Sequence, residues 1–483
     1  MMQALSAAAP AAAQDLRAPQ AADAPGSPGL ADGDPAAVLP RQPRTVRDTG
    51  LDPRFVTALV LKTLHAGGKT PLSVLSGRLR LSCGVMREVL QGLIATQQAE
   101  IAWSGESDLD VHYSLTAFGQ RAAAEHLLES RYVGPAPVTL AAWRGVVARQ
   151  SQRRPDALRV GRGELEALLH EDGLEPAVRE LVGAALHSQR PLLLYGPSGS
   201  GKTTLARKLA RLRQEPVAVP HAVLVNSEIV QLYDPALHPA PLQPRAHEER
   251  RSVDARWMPS QRPLVHLGAE LTRDMLELRP DAAAGVLRAP HHLCANSGLL
   301  VVDDLGRQRV PAAELLHRWL AALESGQDHV AVPGGPTLAL PFDVVLVLAS
   351  GQTPEAVLDD ACLRRIGYRI PVGPLSEASY RALARRQALL RRIELGDAAL
   401  DYLVGELHRR TRRPLLAAYP HELLGRIADF AGFAGRAPRA DPDALAQAWS
   451  SMFGAAALAA PSTATGLGAH TAAGAGSVRG DAR

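Results

Sequence analysis

The sequence predicts an α/β protein: a parallel sheet with helices on both faces, followed by a helical segment and preceded by a smaller α+β unit. Three observations carry this. Between about residues 160 and 375, short apolar runs of strand length alternate with stretches of helical periodicity. One run opens directly into a glycine-rich turn and then a helix. Beyond Ser376 the strand-like runs cease, and helical segments follow one another to about Phe453.

Composition sets the frame. At 483 residues, the chain is long enough for two to four domains. A net charge of +4 is small for this length and excludes a chain built to coat a polyanion. The three cysteines, Cys83, Cys294 and Cys362, stand far apart and form no CxxC pair, so neither a disulfide framework nor a zinc site is indicated. His291-His292-x-Cys294 has no second cluster to complete four ligands. No apolar run approaches the ~18 residues of a membrane span, and the first residues lack a basic region followed by a continuous apolar one. The expectation is a cytoplasmic protein with no membrane partner.

Residues 1–48, rich in Ala, Pro, Asp and Gly, are expected as a disordered tail. Residues 50–132 read as three helices, "FVTALVLKTLHAGG", "PLSVLSGRL" and "SCGVMREVLQGLIATQQ", then two strands around an acidic turn and a closing helix. Ser82 is placed to cap the third helix. Three helices and a hairpin resemble a winged-helix domain. Residues 133–158 read as a linker, stiffened by Pro135 and Pro137. The α/β core spans 159–375, with strands expected at 191–195, 221–226, 298–302, 343–350 and 368–372. A helical subdomain follows over 376–455, and 456–483 are expected as a second disordered tail.

The glycine-rich turn carries the chemistry. Gly196-Pro197-Ser198-Gly199-Ser200-Gly201-Lys202-Thr203, followed by Thr204, fits the phosphate-binding pattern G-x-x-x-x-G-K-[ST] between a buried strand and a helix. Glycines let backbone N–H groups turn inward around a phosphate, and the helix N-terminus adds its dipole. Lys202 is expected to reach the β- and γ-phosphates of ATP, and Thr203 to ligate Mg²⁺. Such a site needs a carboxylate at the end of a nearby strand. "GLLVVDD" supplies two: Asp303 as the metal-side group and Asp304 as the group that orients or deprotonates water.

On these two motifs the chain resembles the AAA+ ATPases over roughly 160–453, with Walker A at Gly196–Thr203 and Walker B at Leu299–Asp304. After Walker B, a helix, the hairpin-like "HVAVPGGPTLAL" and the strand "PFDVVLVLAS" resemble the layout of MoxR-type and NtrC-type members. The fold implied is a P-loop NTPase sheet with a C-terminal helical lid. The resemblance also implies a homo-oligomeric ring with ATP at subunit interfaces, acting on a client or regulatory protein. In "LDDACLRRIGYRIPV", Arg364 or Arg365 would reach the neighbour's γ-phosphate, Arg365 matching the finger position better. Asn226, at the end of the expected second strand, matches a position that pairs with the catalytic acid.

Two departures stand out. Where relatives carry Asn after the fourth strand, this chain reads Ala349-Ser350-Gly351-Gln352. Where they carry a lid arginine, it reads Pro420-His421-Glu422-Leu423-Leu424, with Arg426 one turn later. Asp304 is also one methylene shorter than the usual Glu. Together these imply slow, tightly gated hydrolysis. A long insertion, 227–297, has no assigned chemistry: a disordered loop and a part of the sheet are both open. Residues 51–130 hold seven basic and eight acidic residues, a net charge of −1. Phosphate contacts supply most DNA affinity, so protein docking is favoured for the winged-helix-like unit; the alternatives are an ATP-dependent transcriptional regulator that binds DNA through it and a slowly hydrolysing nucleotide-switch scaffold.

Overall fold

The computed structural model of the protein describes residues 39–104, 110–157, 159–212, 215–241 and 253–454. In the N-terminal unit, leucines and valines at helical spacing close α1 (Pro53–Gly67), α2 (Leu72–Leu79) and α3 (Cys83–Ala95) on one another. Asp52 caps α1 by accepting from the Arg54 N–H, and Ser82 caps α3 by accepting from Val85. Strands β1 (Thr70–Pro71), β2 (Ala99–Trp103) and β3 (His112–Leu115) form an antiparallel sheet in the order β1–β3–β2. Helix α4 (Ala117–Glu129) packs on α1.

Two expectations fail at the edges of this unit. Residues 39–48 do not behave as a tail: Leu39 and Val46 are buried, and the Val46 N–H donates to the Glu88 carboxylate at 2.8 Å. Two large apolar side chains anchor a stretch whose average composition is polar. The rest of both expected tails (1–38 and 455–483) and most of the acidic turn (105–109) lie outside the described residues. The expected linker 133–158 instead carries β4 (Val138–Thr139) and α5 (Leu140–Gln150). Trp143, Val146 and Val147, at helical spacing, are buried in the main core, and Thr139 caps the helix.

Helices α6 (Arg162–Leu169) and α7 (Pro176–Ser188) lead to β5 (Leu192–Tyr195) and α8 (Lys202–Leu209). Strands β6 (Val217–Pro220), β7 (Ala222–Val225), β8 (Glu228–Gln231), β9 (Trp257–Ser260) and β10 (Leu264–Leu267) follow. Next come β11 (Arg279–Asp281), β12 (Val286–Arg288), the short α9 (His291–Cys294) and β13 (Leu299–Val302). Helix α10 (Ala312–Ser325), the hairpin β14 (Gln327–Ala331) and β15 (Thr337–Pro341), and β16 (Val345–Ser350) complete the middle of the chain. Short helices α11 (Pro354–Val357) and α12 (Asp360–Arg365) precede β17 (Tyr368–Pro371).

Five strands pair in the order β10–β13–β16–β5–β17, and every pairing is parallel. One face is covered by α10, whose Trp319 is fully buried; the other is covered by α7 and α8. Burial on both faces explains why these strands read as nearly continuous apolar runs. The stretch 221–226 is not a core strand. Asn226 and Ser227 take φ of +51° and +131°, which turns β7 straight back into an antiparallel hairpin with β8. That hairpin belongs to a second sheet, β11–β12–β8–β7–β4, and β10, from within the insertion, takes the edge of the core sheet.

The C-terminal region is helical: α13 (Glu377–Arg391), α14 (397–411), α15 (Ala418–Phe433) and α16 (Pro442–Phe453). They close around Tyr380, His408 and Trp449, with the Tyr380 hydroxyl 2.8 Å from His408 Nε2. Among the described residues no helix is long and apolar enough to cross a membrane.

A buried ionic network fixes the β14–β15 hairpin. Arg318 on α10 donates Nε and Nη2 to the two Asp328 carboxylate oxygens at 3.0 and 3.1 Å, and Nη1 to Glu277 at 2.6 Å. His292 on α9 stands 2.7 Å from the same carboxylate, which is 2% exposed. Burial alone would raise the Asp328 carboxyl, but His292 and Arg318 outweigh it and hold it at about 2. The depressed value contributes stability that is complete above about pH 4 and is lost as pH falls toward about 2. Asp328→Asn should cost about 3 kcal/mol at neutral pH and flatten the acid decline of the melting temperature. An unchanged decline would place the acid-labile contact elsewhere.

Candidate functional site

The site forms where β5, β13 and β10 end on one edge of the sheet. Parallel pairing puts their C-terminal ends level, with Leu267 beside Val302, and β16 between them and β5. Open parallel sheets gather ligand groups along this edge.

The turn between β5 and α8 is held in one shape. Gly196 takes φ +142°, and a Cβ there would lie 2.3 Å from the Val372 carbonyl oxygen. Its N–H donates to the Ser350 carbonyl at 3.2 Å, tying the turn to the end of β16. Gly199 and Gly201 are also left-handed, at φ +83° and +98°. Pro197 and Ser198 are exposed, and Thr204 is exposed on the first turn of α8. Ser200 is buried, and its hydroxyl oxygen has no hydrogen-bond partner among the described residues. Lys202 is only 8% exposed. Its Nζ donates to the Gly196 and Pro197 carbonyls, both at 2.9 Å, so the ammonium is held over its own turn. Burial pulls its pKa down, and Asp303 and Asp304 oppose that pull.

Asp303 and the next side chain on the loop, Thr203, meet directly: Thr203 Oγ1 donates to Asp303 Oδ2 at 2.7 Å. Asp303 Oδ1 accepts from the Asp304 N–H at 3.0 Å. Asp304 is exposed, with φ +50°. The left-handed backbone turns it out of the strand's alternation. The following turn is anchored by Leu305 N–H on the Ala349 carbonyl (2.8 Å), the Ser350 hydroxyl on the Leu305 carbonyl (3.2 Å) and Gln308 Nε2 on the Asp303 carbonyl (2.7 Å). Ser350 is thereby engaged in holding the turn, while Gly351 and Gln352 beyond it are exposed.

A residue that the sequence did not single out completes the group. His266 Nε2 lies 3.3 Å from Asp303 Oδ2, and the ring is 30% exposed. His266 pairs with Val301, so period-2 alternation puts it on the same face as Leu299, Val301 and Asp303, toward α8. A signal was present: Pro263-Leu-Val-His-Leu-Gly268 repeats the pattern of Pro191-Leu-Leu-Leu-Tyr-Gly196. Asn226, expected to pair with the catalytic acid from the end of a core strand, instead sits in the β7–β8 turn.

The remaining candidates stand apart. Arg364 and Arg365 are exposed on α12, and neither bonds to the glycine-rich turn or to Asp303 or Asp304 among the described residues. Arg365 pairs with Glu324 of α10 at 3.2 Å and lines a cleft of about 310 Å³ with Arg153, Arg159 and Arg190. The helical region touches the turn through backbone: the Ala418 N–H donates to the Gly199 carbonyl at 2.9 Å. His421 accepts from Arg391 at 2.9 Å, and Arg426 donates to the Glu422 carbonyl at 3.1 Å.

The donor set fits a phosphate and a hard divalent cation. The turn has three left-handed glycines, at Gly196 no room for a Cβ, a buried lysine and a buried Ser200 hydroxyl without a partner among the described residues. A hydroxyl and a carboxylate supply the hard oxygen donors that such a cation takes.

A family model described as Domain of unknown function (DUF8689) matches residues 376–451. No curated protein matches the chain. Among solved structures, NtrX from Brucella abortus in complex with ATP is similar at 14% identity and a TM-score of 0.36, over 69% of this chain and 64% of that one. This chain thus spans less than two thirds of NtrX. A mutant RuvB from Thermotoga maritima is similar at 14% identity and a TM-score of 0.34, over 63% of this chain and 73% of that one. The Thermotoga maritima RuvB Holliday junction branch migration motor follows at 15% and 0.31, over 60% and 70%.

The turn geometry makes a direct prediction. Gly196→Ala must move either the turn or the Val372 strand end, at a cost of about 2 kcal/mol. The melting temperature should fall by several degrees. An unchanged melt would contradict the described conformation of the turn.

Proposed function

We propose that this chain is an AAA+ ATPase that hydrolyses ATP in a homo-oligomeric ring and uses the cycle to remodel or mature a partner protein. One observation carries the reading: the Thr203–Asp303 hydrogen bond at 2.7 Å, beside a buried lysine in a glycine cradle. Together these groups match what a nucleotide phosphate and its cation require.

In this reading each residue has a task. The backbone N–H groups of 196–204 and the N-terminus of α8 receive the β-phosphate. Lys202 exchanges its two carbonyl acceptors for phosphate oxygens. Thr203 and Asp303 would hold Mg²⁺, which would supply positive charge against the phosphates. Asp304 orients the attacking water and takes its proton as the bond to the γ-phosphorus forms and the β–γ bridge breaks. Arg365, or Arg364 beside it, serves the phosphate of the neighbouring subunit. The pair with Glu324 holds Arg365 on its own subunit and must give way for that contact.

The short Asp304 side chain and the engagement of Ser350 in the turn support slow hydrolysis. A reacting water displaced by about 1 Å can cost 10²-fold in rate. The N-terminal unit is assigned as a winged-helix-like protein-docking domain. The net charge of −1 over residues 51–130 supports docking to protein over DNA.

Asp304→Asn should leave ATP affinity within about twofold and reduce turnover by about 10²-fold or more. Lys202→Ala should abolish binding, read by fluorescence of a labelled nucleotide. Turnover that survives in Asp304→Asn would remove Asp304 as the base. Equal phosphate release by wild type and Lys202→Ala would end the ATPase reading.

A further inference from the structure

We propose that His266 is a third protein donor at the cation position, giving this nucleotide site an imidazole nitrogen and a preference for Mn²⁺ or Co²⁺ over Mg²⁺. The proposal rests on the nucleotide reading above and goes beyond it in naming the cation.

The geometry is the argument. Donors on adjacent corners of an octahedral divalent cation, with metal–ligand bonds of about 2.1 Å, stand about 3 Å apart. Asp303 Oδ2 lies 2.7 Å from Thr203 Oγ1 and 3.3 Å from His266 Nε2. These distances bracket the octahedral edge. The imidazole stands on the strand next to β13, on the α8 face, so Thr203 and His266 reach the same Asp303 oxygen from two other elements. A histidine there for packing alone would not need its nitrogen turned to the carboxylate oxygen that also serves Thr203.

Donor chemistry sets the consequence. Mg²⁺ takes oxygen and keeps water in preference to nitrogen. Mn²⁺ and Co²⁺ stand above it in affinity for imidazole. A site made of one hydroxyl, one carboxylate and one imidazole should therefore discriminate among divalent cations that an all-oxygen site treats more alike.

The test reads the nitrogen directly. Full-length protein with Mn²⁺ and ATP is examined by pulsed electron paramagnetic resonance for nuclear coupling to the metal. The wild type should show a strongly coupled nitrogen that changes its pattern when histidine alone is labelled with ¹⁵N; adenine nitrogens would not respond to that label. His266→Asn should lose the coupling. Its preference for Mn²⁺ over Mg²⁺ in nucleotide binding should shrink toward unity. His266→Gln is the second variant, and thermal melts report the folding of both. Nucleotide binding with no histidine coupling in the wild type overturns the proposal and leaves the ATPase reading intact. Absence of nucleotide binding overturns both.

Discussion

One hydrogen bond, from Thr203 to Asp303, joins the two halves of the site, and the sheet exists in a form that makes it possible. Thr203 follows β5 and Asp303 follows β13, strands separated in the sheet by β16. Only parallel pairing in level register puts both strand ends on one edge within side-chain reach. The same register aligns Ser350 with Tyr195, so the end of β16 supports the glycine turn on one side and the Asp304 turn on the other. A slip of one residue in β13 would turn Asp303 to the opposite face, away from Thr203.

The second sheet couples this site to the N-terminal unit. Ala222, Ile229 and Val286 of the second sheet lie in the same apolar cluster as Leu59, Leu79 and Met86 of the first helices. Arg256, 4% exposed, pairs with Asp254 at 2.8 Å and donates to the Thr49 and Pro137 carbonyls, both at 3.2 Å. A buried guanidinium fixed by a carboxylate and two carbonyls is a costly contact to break. The insertion that carries Arg256 also carries β10 and His266. One segment therefore builds the seam with the N-terminal unit and the edge of the candidate site.

Legibility followed local physics. The glycine turn and four of the five core strands, β13 with its acidic end among them, are readable because a strand–turn–helix signal and buried runs are local. The caps at Asp52 and Ser82 follow from adjacent residues. What failed depends on distance in the chain. Residues 222–225 and 264–267 are both short apolar runs, and only the flanking Pro263 and Gly268, matching Pro191 and Gly196, mark the second as the core strand. The Asn226-Ser227 reversal settled it. Helix α5 was hidden because Pro135 and Pro137 precede it and dominate the composition, although Trp143, Val146 and Val147 keep helical spacing. Leu39 and Val46 were hidden by the average around them. The Arg318–Asp328–His292 network joins residues up to 36 apart in sequence, beyond the reach of any periodicity.

The most direct test of a composite site is its dependence on assembly. Steady-state phosphate release per mole of protein should be measured across a hundredfold range of protein concentration, for wild type and Arg365→Ala. The wild-type specific activity should rise with concentration as subunits associate, and the variant should stay low throughout. Wild-type activity that is flat across the range while light scattering shows association would contradict an arginine supplied by the neighbour.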